Sequence, residues 1–144
     1  MPHKLEIPKT TTLIAVSKKQ PLEKIYAALK DGQRCFGENR VQEAYQHWEN
    51  LQSDYADLDL HLIGPLQSNK AADAVQLFDV IQTLDRKKIV DACANEEAKQ
   101  GRKLKYFIQV NTGEEPQKSG VLPADVDDLY RYANDKLDVV GLMC

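Results

Sequence analysis

Several polar side chains directly follow short apolar segments, where parallel strands would place a binding site. Lys18 comes first, after residues 12–16, whose β-branched and apolar side chains are typical of a strand buried on both faces. A lysine amine close to apolar surface loses its proton readily and becomes a nucleophile, for which Schiff-base formation with an aldehyde is the natural chemistry. The position alone favours the simpler interpretation, an exposed and solvated lysine. Neighbouring strand residues face opposite ways, so only one of Lys18 and Lys19 should face the centre.

Further candidates follow the later apolar segments: Glu38 and Asn39, residues 64–70, Asp85 and Arg86, residues 111–113 and residues 118–120. Most of them also have a structural interpretation. Asn39 and Asp85 fit helix N-caps, and Ser68 fits an N-cap as well as it fits an anion contact at a helix start. His61 lies within a strand, where a hydrogen-bonded core histidine is more common than a catalyst. The glycine spacing matches neither a dinucleotide-binding motif nor a phosphate-binding loop.

The cysteines and histidines of the chain are Cys35, Cys93, Cys144, His3, His47 and His61. No two cysteines form a CxxC pair and the histidines lack the spacing of metal ligands, so the sequence predicts no metal site. Three widely separated cysteines are typical of a cytoplasmic protein. The N-terminal residues agree with this location, because they lack the apolar segment of a secretory signal.

The elements that would position these residues alternate regularly along the chain. Six apolar segments predict strands: 12–16, 34–36, 60–63, 80–84, 106–110 and 139–143. Five amphipathic segments predict helices: 22–30, 40–51, 68–78, 86–99 and 123–132. Pro21 suits a first helical turn, and Gly32 and Gly101 suit left-handed positions after a helix. Without hairpin signals, this alternation predicts an α/β fold with a parallel sheet, either open and doubly wound or closed as a (β/α) barrel.

Size and composition limit the fold and the classes of function. A chain of 144 residues that is 42% hydrophobic fits a single globular domain. Its mean hydropathy of −0.51 and its short apolar segments disfavour a membrane-spanning helix. With 19 basic against 22 acidic residues, a dedicated nucleic-acid-binding role is also disfavoured. A complete eight-fold barrel usually needs about 200 residues or more, so a barrel here would be incomplete, with about six of eight βα units.

Three motifs at the strand ends carry a family resemblance. They are AVSK at residues 15–18, FGEN at 36–39 and HLIGPLQSNK at 61–70. Together with shorter matches at 41–43, 82–85, 109–111, 118–120 and 141–143, they resemble the YggS/PROSC family of pyridoxal 5′-phosphate (PLP) homeostasis proteins. The resemblance extends from about Thr12 to the last residue, and HLIGPLQSNK is its most specific part.

The resemblance implies a barrel like the N-terminal domain of bacterial alanine racemase, with PLP as the cofactor. Lys18 matches the lysine that holds PLP as a Schiff base, and Lys19 is a neighbouring basic residue. Asn39 matches a residue that lines the cofactor pocket, and Met143 falls on a strand end that approaches the cofactor. The implied function is to bind, carry or buffer PLP and to supply apo-enzymes that require it, without a turnover reaction.

Other functions stay open. A Schiff-base lyase or aldolase would use Lys18 to attack a carbonyl substrate directly. A PLP-dependent amino-acid racemase needs a second acid/base group on the opposite face of the cofactor, which in alanine racemase comes from another domain. An interaction module would use the scaffold without PLP, and replacing Lys18 would then leave partner binding intact.

The family pattern predicts that residues 1–144 form one PLP-binding barrel domain and are part of a longer chain. Only eleven residues precede the first predicted strand, where family members carry a helix. The family also continues past GLM into two further strands, whose loops supply the phosphate-binding residues and an arginine facing the pyridine nitrogen. The exposed apolar strand edges that result would favour low stability or association.

Overall fold

The order of the strands decides between the two predicted closures. The computed structural model describes residues 5–144, which contain one sheet of six strands. They are β1 (Ala15–Val16), β2 (Cys35–Glu38), β3 (Asp59–Leu62), β4 (Val80–Leu84), β5 (Lys105–Gln109) and β6 (Asp138–Met143). All neighbours pair in parallel, in chain order from β1 to β6. A doubly wound sheet reverses its order partway, whereas a (β/α) barrel does not, so this sheet is a barrel wall. It is open, with β1 and β6 as its edges, which confirms the predicted incomplete barrel.

Five α-helices connect the strands: α1 (Leu22–Lys30), α2 (Val41–Trp48), α3 (Ala71–Leu77), α4 (Lys87–Gln100) and α5 (Val126–Asn134). The predicted bounds of α1 and β4 are confirmed to the residue. The predicted helix over 68–78 is wrong in its first turn, because Ser68–Lys70 forms a separate 3-10 turn before α3. Pro123–Asp125 forms a similar turn before α5. Within residues 5–144, no helix has the length and apolar character needed to cross a membrane.

Glycine ends two of the helices as predicted. Gly32 follows α1 with a φ of 97°, and Gly101 follows α4 with a φ of 65°. Both angles lie in the left-handed region, which a residue with a Cβ adopts only at a cost. Glycine at these two positions therefore allows the left-handed backbone conformation with which the chain turns toward the next strand.

The first strand is shorter and more exposed than the sequence predicts. Only Ala15 and Val16 pair with β2, and residues 12–14 lie outside the strand. Val16 is 47% exposed and Leu13 is 41% exposed, so the expectation of a strand buried on both faces is wrong. The apolar composition of the segment is that of a central strand, but β1 is an edge strand with a neighbour on one side only.

The hydrophobic core lies between the helices and one face of the sheet. Trp48 of α2 is fully buried and packs against Phe36 of β2, with the ring centroids 4.6 Å apart. Leu60 and Leu62 of β3 are fully buried in the same cluster. Because side chains alternate along a strand, His61, between these two leucines, faces the opposite side of the sheet.

The side of the sheet that faces away from this core is here called the inner face. Gly37 belongs to it, because an added Cβ would lie 3.0 Å from Ile14 and from Ile63. Gly141 occupies the same kind of position on β6, where an added Cβ would lie 2.8 Å from the ring of Phe107. On the inner face, glycine therefore occupies positions where a side chain from an adjacent segment packs directly against the strand and leaves no space for a Cβ.

Candidate functional site

Lys18 lies in a tight turn at the carboxyl end of β1. The backbone N–H of Gln20 donates to the carbonyl oxygen of Ser17 at 3.1 Å, which closes a turn with Lys18 and Lys19 at its centre. Lys19 has a φ of 56°, in the left-handed region. The Lys18 side chain is exposed and makes no hydrogen bond or ion pair with any residue from 5 to 144. The turn thus presents a free amine at the strand end where the sequence predicts one.

Two glutamates fix this turn to the rest of the protein. Ser17 donates its backbone N–H to the carbonyl oxygen of Gly37 at 3.0 Å and its hydroxyl group to Glu38 Oε1 at 2.6 Å. The backbone N–H of Lys19 donates to Glu43 Oε1 on α2. Residues on both sides of Lys18 are therefore bonded to neighbouring elements, while the lysine itself is not.

The Glu38 side chain points into the core, so it is not placed to contact a ligand at the end of β2. Its side chain is fully buried, and Oε1 also accepts a hydrogen bond from Trp48 Nε1 at 3.1 Å. His47 Nδ1 lies 2.6 Å from the same oxygen. The second carboxyl oxygen, Oε2, is buried without a hydrogen-bond partner among the described residues. Glu38 is thus an internal anchor that links the Lys18 turn to α2.

Asn39 follows β2, which is the strand that pairs with β1. The expectation that it caps α2 is wrong, since Arg40 occupies the N-cap position and no side chain caps the helix. The backbone of Gly64 passes directly beside Asn39, and an added Cβ at Gly64 would overlap the Asn39 carbonyl oxygen. Asn39 and Lys18 therefore end neighbouring strands, and the close approach of Gly64 fixes the Asn39 backbone.

A cavity of about 540 Å³ opens beside Asn39, between the ends of β2 and β3. The motif residues Pro65 and Leu66 form part of its wall, and Arg40 and Lys70 supply two cations. Lys18 is absent from the described residues that line it. The structure therefore brings Lys18 and Asn39 to adjacent strand ends without placing them in one cavity.

Met143 lies on the other edge of the open sheet, as the last residue of β6. It lines a cavity of about 460 Å³ together with Leu142, Val126 of α5 and the exposed Cys144. Four strands separate β6 from β1, so Met143 and Lys18 lie on the two edge strands of the open sheet.

A third cavity, of about 380 Å³, joins three of the candidate segments at the end of β5. Pro65, Thr112 and Lys118 come to it from the three segments 64–70, 111–113 and 118–120. Gln109 also lines it, and its side-chain oxygen is buried without a partner among residues 5–144. This oxygen is a hydrogen-bond acceptor available to a bound molecule.

Two predicted helix caps are wrong, while the interpretation of His61 is confirmed. Asp85 does not cap α4, because its Oδ2 accepts from the backbone N–H of Gly120 at 3.2 Å and Arg86 holds the N-cap position. Ser68 begins its 3-10 turn and does not cap it. His61 is a buried, fully bonded histidine, with Asp59 Oδ2 3.0 Å from Nε2 and Gln82 Nε2 2.8 Å from Nδ1.

Two groups of interacting side chains could not be predicted from the sequence. Glu43 and His47 were not identified as supports of the Lys18 turn, although both follow the FGEN motif. Cys35, Asp59 and His61 offer three possible metal-ligand atoms within 4.8 Å of one another, although the sequence shows no metal-binding spacing. Glu43 and His47 of α2 contact residues near the ends of β1 and β2, and the three possible metal ligands lie on β2 and β3, so no local pattern could reveal either grouping.

Comparison with known proteins agrees with this architecture. The family model described as the alanine racemase N-terminal domain matches residues 4–144. A pyridoxal phosphate homeostasis protein of Pasteurella multocida is 44% identical over 133 residues, which cover 91% of this chain and 57% of that protein. One from Escherichia coli is 39% identical over 141 residues, covering 94% and 59%. The chain thus spans less than two thirds of the length of these relatives.

A solved structure with PLP bound is also similar to this chain in fold and sequence. The structure of PipY from Synechococcus elongatus with PLP bound has a TM-score of 0.84 and 36% sequence identity to this chain. The match covers 96% of this chain and 66% of that one. The chain belongs to the family of the alanine racemase N-terminal domain, as its motifs predict, and the relatives that it resembles are pyridoxal phosphate homeostasis proteins.

Proposed function

We propose that this chain binds PLP through a Schiff base on Lys18 and acts as a carrier or buffer of the cofactor. The observation that carries the proposal is its similarity to PipY, whose structure contains PLP, over 96% of the chain. The free Lys18 amine at the end of β1 supports it, because a covalent link needs an amine that no internal ion pair holds.

The Lys18 amine and the turn that holds it are suited to bind the aldehyde group of the cofactor. When bound, PLP supplies an aldehyde that condenses with a primary amine and releases water. The turn from Ser17 to Gln20 holds the Lys18 backbone in place through Glu38 and Glu43, so little ordering is required when the amine reacts. Asn39 is the polar side chain at the neighbouring strand end that we assign to the cofactor pocket, and Met143 would contact the cofactor from β6.

The contacts of the acid/base groups near Lys18 support the proposal of binding without turnover. Glu38 is buried and bonded to Ser17, His47 and Trp48. Glu43 accepts the backbone N–H of Lys19. One oxygen of each carboxyl group bonds to the Lys18 turn, which favours a supporting role for both residues over proton transfer at Lys18. A racemase needs an acid/base group on each face of the cofactor. The protein would therefore hold the reactive aldehyde and release it to apo-enzymes.

The free thiols support a reducing location for this activity. Cys35 and Cys93 are buried and Cys144 is exposed, and none of the three forms a disulfide. Proteins with an odd number of free cysteines are more common in the cytoplasm than in oxidising compartments. We place the proposed PLP carrier in the cytoplasm on this ground.

The test is an absorption titration of the purified chain with PLP, followed by borohydride reduction and peptide mass mapping. The expected result is an imine band and, after reduction, one pyridoxyl group on the peptide that contains Lys18. Lys18→Ala should abolish both, whereas Lys19→Ala, which changes the neighbouring exposed lysine, should retain them. PipY serves as the positive control.

Two results would contradict the proposal. One is a PLP adduct spread over several lysines and unchanged by Lys18→Ala. The other is an absence of any imine band for this chain under conditions in which PipY forms one. Trapping of a carbonyl substrate on Lys18 without PLP would instead indicate a Schiff-base lyase or aldolase.

A further inference from the structure

Three side chains that commonly bind metals meet on the inner face, on strands β2 and β3. Cys35 and Asp59 are partners in the β2–β3 register, and His61 is two residues further along β3 on the same face. Cys35 Sγ lies 3.6 Å from Asp59 Oδ2, and His61 Nε2 lies 3.0 Å from the same oxygen. Cys35 and Asp59 begin their strands, at the end opposite Asn39 and the predicted PLP site, and His61 lies two residues further along β3.

Two of the three separations between these ligand atoms match the edges of a tetrahedral metal site, and all three atoms lie within 4.8 Å of one another. Zinc binds thiolate sulfur at about 2.3 Å and imidazole nitrogen or carboxylate oxygen at about 2.0 Å. Tetrahedral angles then place sulfur and oxygen about 3.5 Å apart, and nitrogen and oxygen about 3.3 Å apart. The observed separations of 3.6 and 3.0 Å differ from these by a few tenths of an ångström. Small side-chain adjustments would therefore admit an ion.

We infer that Cys35, Asp59 and His61 form a binding site for a divalent ion of the zinc class, separate from the proposed PLP site. Thiolate and imidazole ligands select such an ion, because Mg²⁺ and Ca²⁺ need several oxygen ligands and this cluster offers one carboxylate. Three protein ligands leave a fourth position for water or an external ligand. The Asp59 side chain is 44% exposed and His61 only 8%, so the ion would enter from the side of Asp59.

The hydrogen bonds around the cluster define the protons that the ion displaces. Asp59 accepts hydrogen bonds from the Cys35 thiol and from Nε2–H of His61. The Gln82 amide donates to His61 Nδ1. On binding, a sulfur–metal bond forms and the thiol proton leaves to solvent. The imidazole proton moves from Nε2 to Nδ1, where it donates to Gln82 once the amide has rotated. Binding thus releases one proton, and Gln82 orients the ligating ring.

The charges nearby favour a cation. Burial, together with the neighbouring carboxyl groups of Asp59 and Asp79, raises the pKa of the Cys35 thiol to about 12. A divalent cation counters both effects, since it offsets the neighbouring negative charge and binds the thiolate directly. Arg102 is the nearby positive group, with Nη2 3.5 Å from Asp79 Oδ1, and it offsets Asp79 only in part.

The experiment is a titration with Co²⁺ in a Cys144→Ser background, which removes the exposed thiol. Without added PLP, the expected result is a thiolate-to-cobalt absorption band that saturates at one ion per chain. Zn²⁺ should displace the cobalt. Cys35→Ser and His61→Gln should abolish the band, while Gln82→Leu should retain it and weaken binding about 10- to 100-fold.

A matched control separates the site from general thiol chemistry. Cys93 is also buried, and burial raises its pKa to about 12, but it lies elsewhere, in α4. Cys93→Ser should therefore retain the full cobalt band. The inference would be overturned by no thiolate band in the folded background protein. A band that survives Cys35→Ser would overturn it as well, with circular dichroism used to show that each variant is folded.

Discussion

The Ser17 hydroxyl group donates to Glu38 Oε1 at 2.6 Å, across a separation of 21 residues in the chain. This bond connects the residue before Lys18 with a carboxyl group in the hydrophobic core. Because Glu38 is also bonded to Trp48 and lies against His47, the position of the lysine turn depends on the packing of α2. The support of the candidate site is therefore internal, and it can be tested apart from PLP.

Ser17→Ala should lower the free energy of unfolding by about 1–3 kcal/mol, because it removes a donor from a buried carboxyl group that already has one oxygen without a partner. Urea denaturation at neutral pH measures this difference. Ser53→Ala is the control, since Ser53 is exposed and its replacement should change the free energy by less than about 0.5 kcal/mol. Equal losses in the two variants would show that the Ser17–Glu38 bond does not stabilise the turn.

Gly64→Ala should destabilise the protein by about 1–3 kcal/mol, the usual cost of inserting a group into a packed site. The reason is steric, since the new Cβ would overlap the Asn39 carbonyl oxygen. Thermal unfolding measures the effect. Gly113→Ala provides the comparison, because its nearest neighbouring atom, on Glu115, would lie 3.6 Å from the new Cβ. If both variants unfold at the same temperature, the close approach at Asn39 is absent in solution.

Only one of the three thiols should react in the folded protein near neutral pH. Burial raises the pKa of Cys35 and of Cys93 to about 12, so almost none of either thiol is present as the reactive thiolate. Cys144 is exposed and should react alone. A colorimetric thiol assay should count one group in buffer and three in denaturant. A count of one in Cys144→Ser, in place of none, would contradict the burial of the other two.

Asp79 should make the protein less stable as the pH rises above about 4. Burial raises the pKa of its carboxyl group, so the folded state holds this proton more tightly than the unfolded chain does. Deprotonation then favours the unfolded chain, and the contribution of Asp79 falls as the pH passes from the unfolded to the folded pKa. Asp79→Asn keeps an oxygen for the Leu60 N–H, which donates to Asp79 Oδ2 at 2.9 Å.

The measurement for Asp79 is the difference between the unfolding free energies of Asp79→Asn and the unmodified chain at several pH values. This difference should move in favour of the variant as the pH rises above about 4. Asp57→Asn is the control, because the Asp57 side chain is 72% exposed and its pairing with Arg34 is screened by solvent. A difference for Asp79 that moves the other way would mean that its bonds to Leu60 and Arg102 outweigh burial.

The alternation of strands and helices, and several of their ends, could be predicted from local sequence. The amphipathic spacing from Leu22 to Lys30 and the apolar run from Val80 to Leu84 predict α1 and β4 to the residue. Gly32 and Gly101 mark helix ends because only the local backbone conformation matters there. The motif at residues 61–70 and the position of Lys18 after β1 also belong to this local information, and they carry the family assignment.

The pairing of the strands, and the side-chain contacts between neighbouring strands, could not be predicted without the three-dimensional fold. Apolar periodicity shows which side of a strand is buried, but it does not show which strand pairs with it. The barrel order therefore stayed open, and the prediction that β1 is buried on both faces was wrong. The caps expected at Asn39 and Asp85 fail for a related reason, since neither side chain caps a helix and Asp85 instead bonds to the distant Gly120. The Ser17–Glu38 bond and the Cys35–Asp59–His61 cluster likewise join residues on adjacent parallel strands, which a whole helix separates in the sequence.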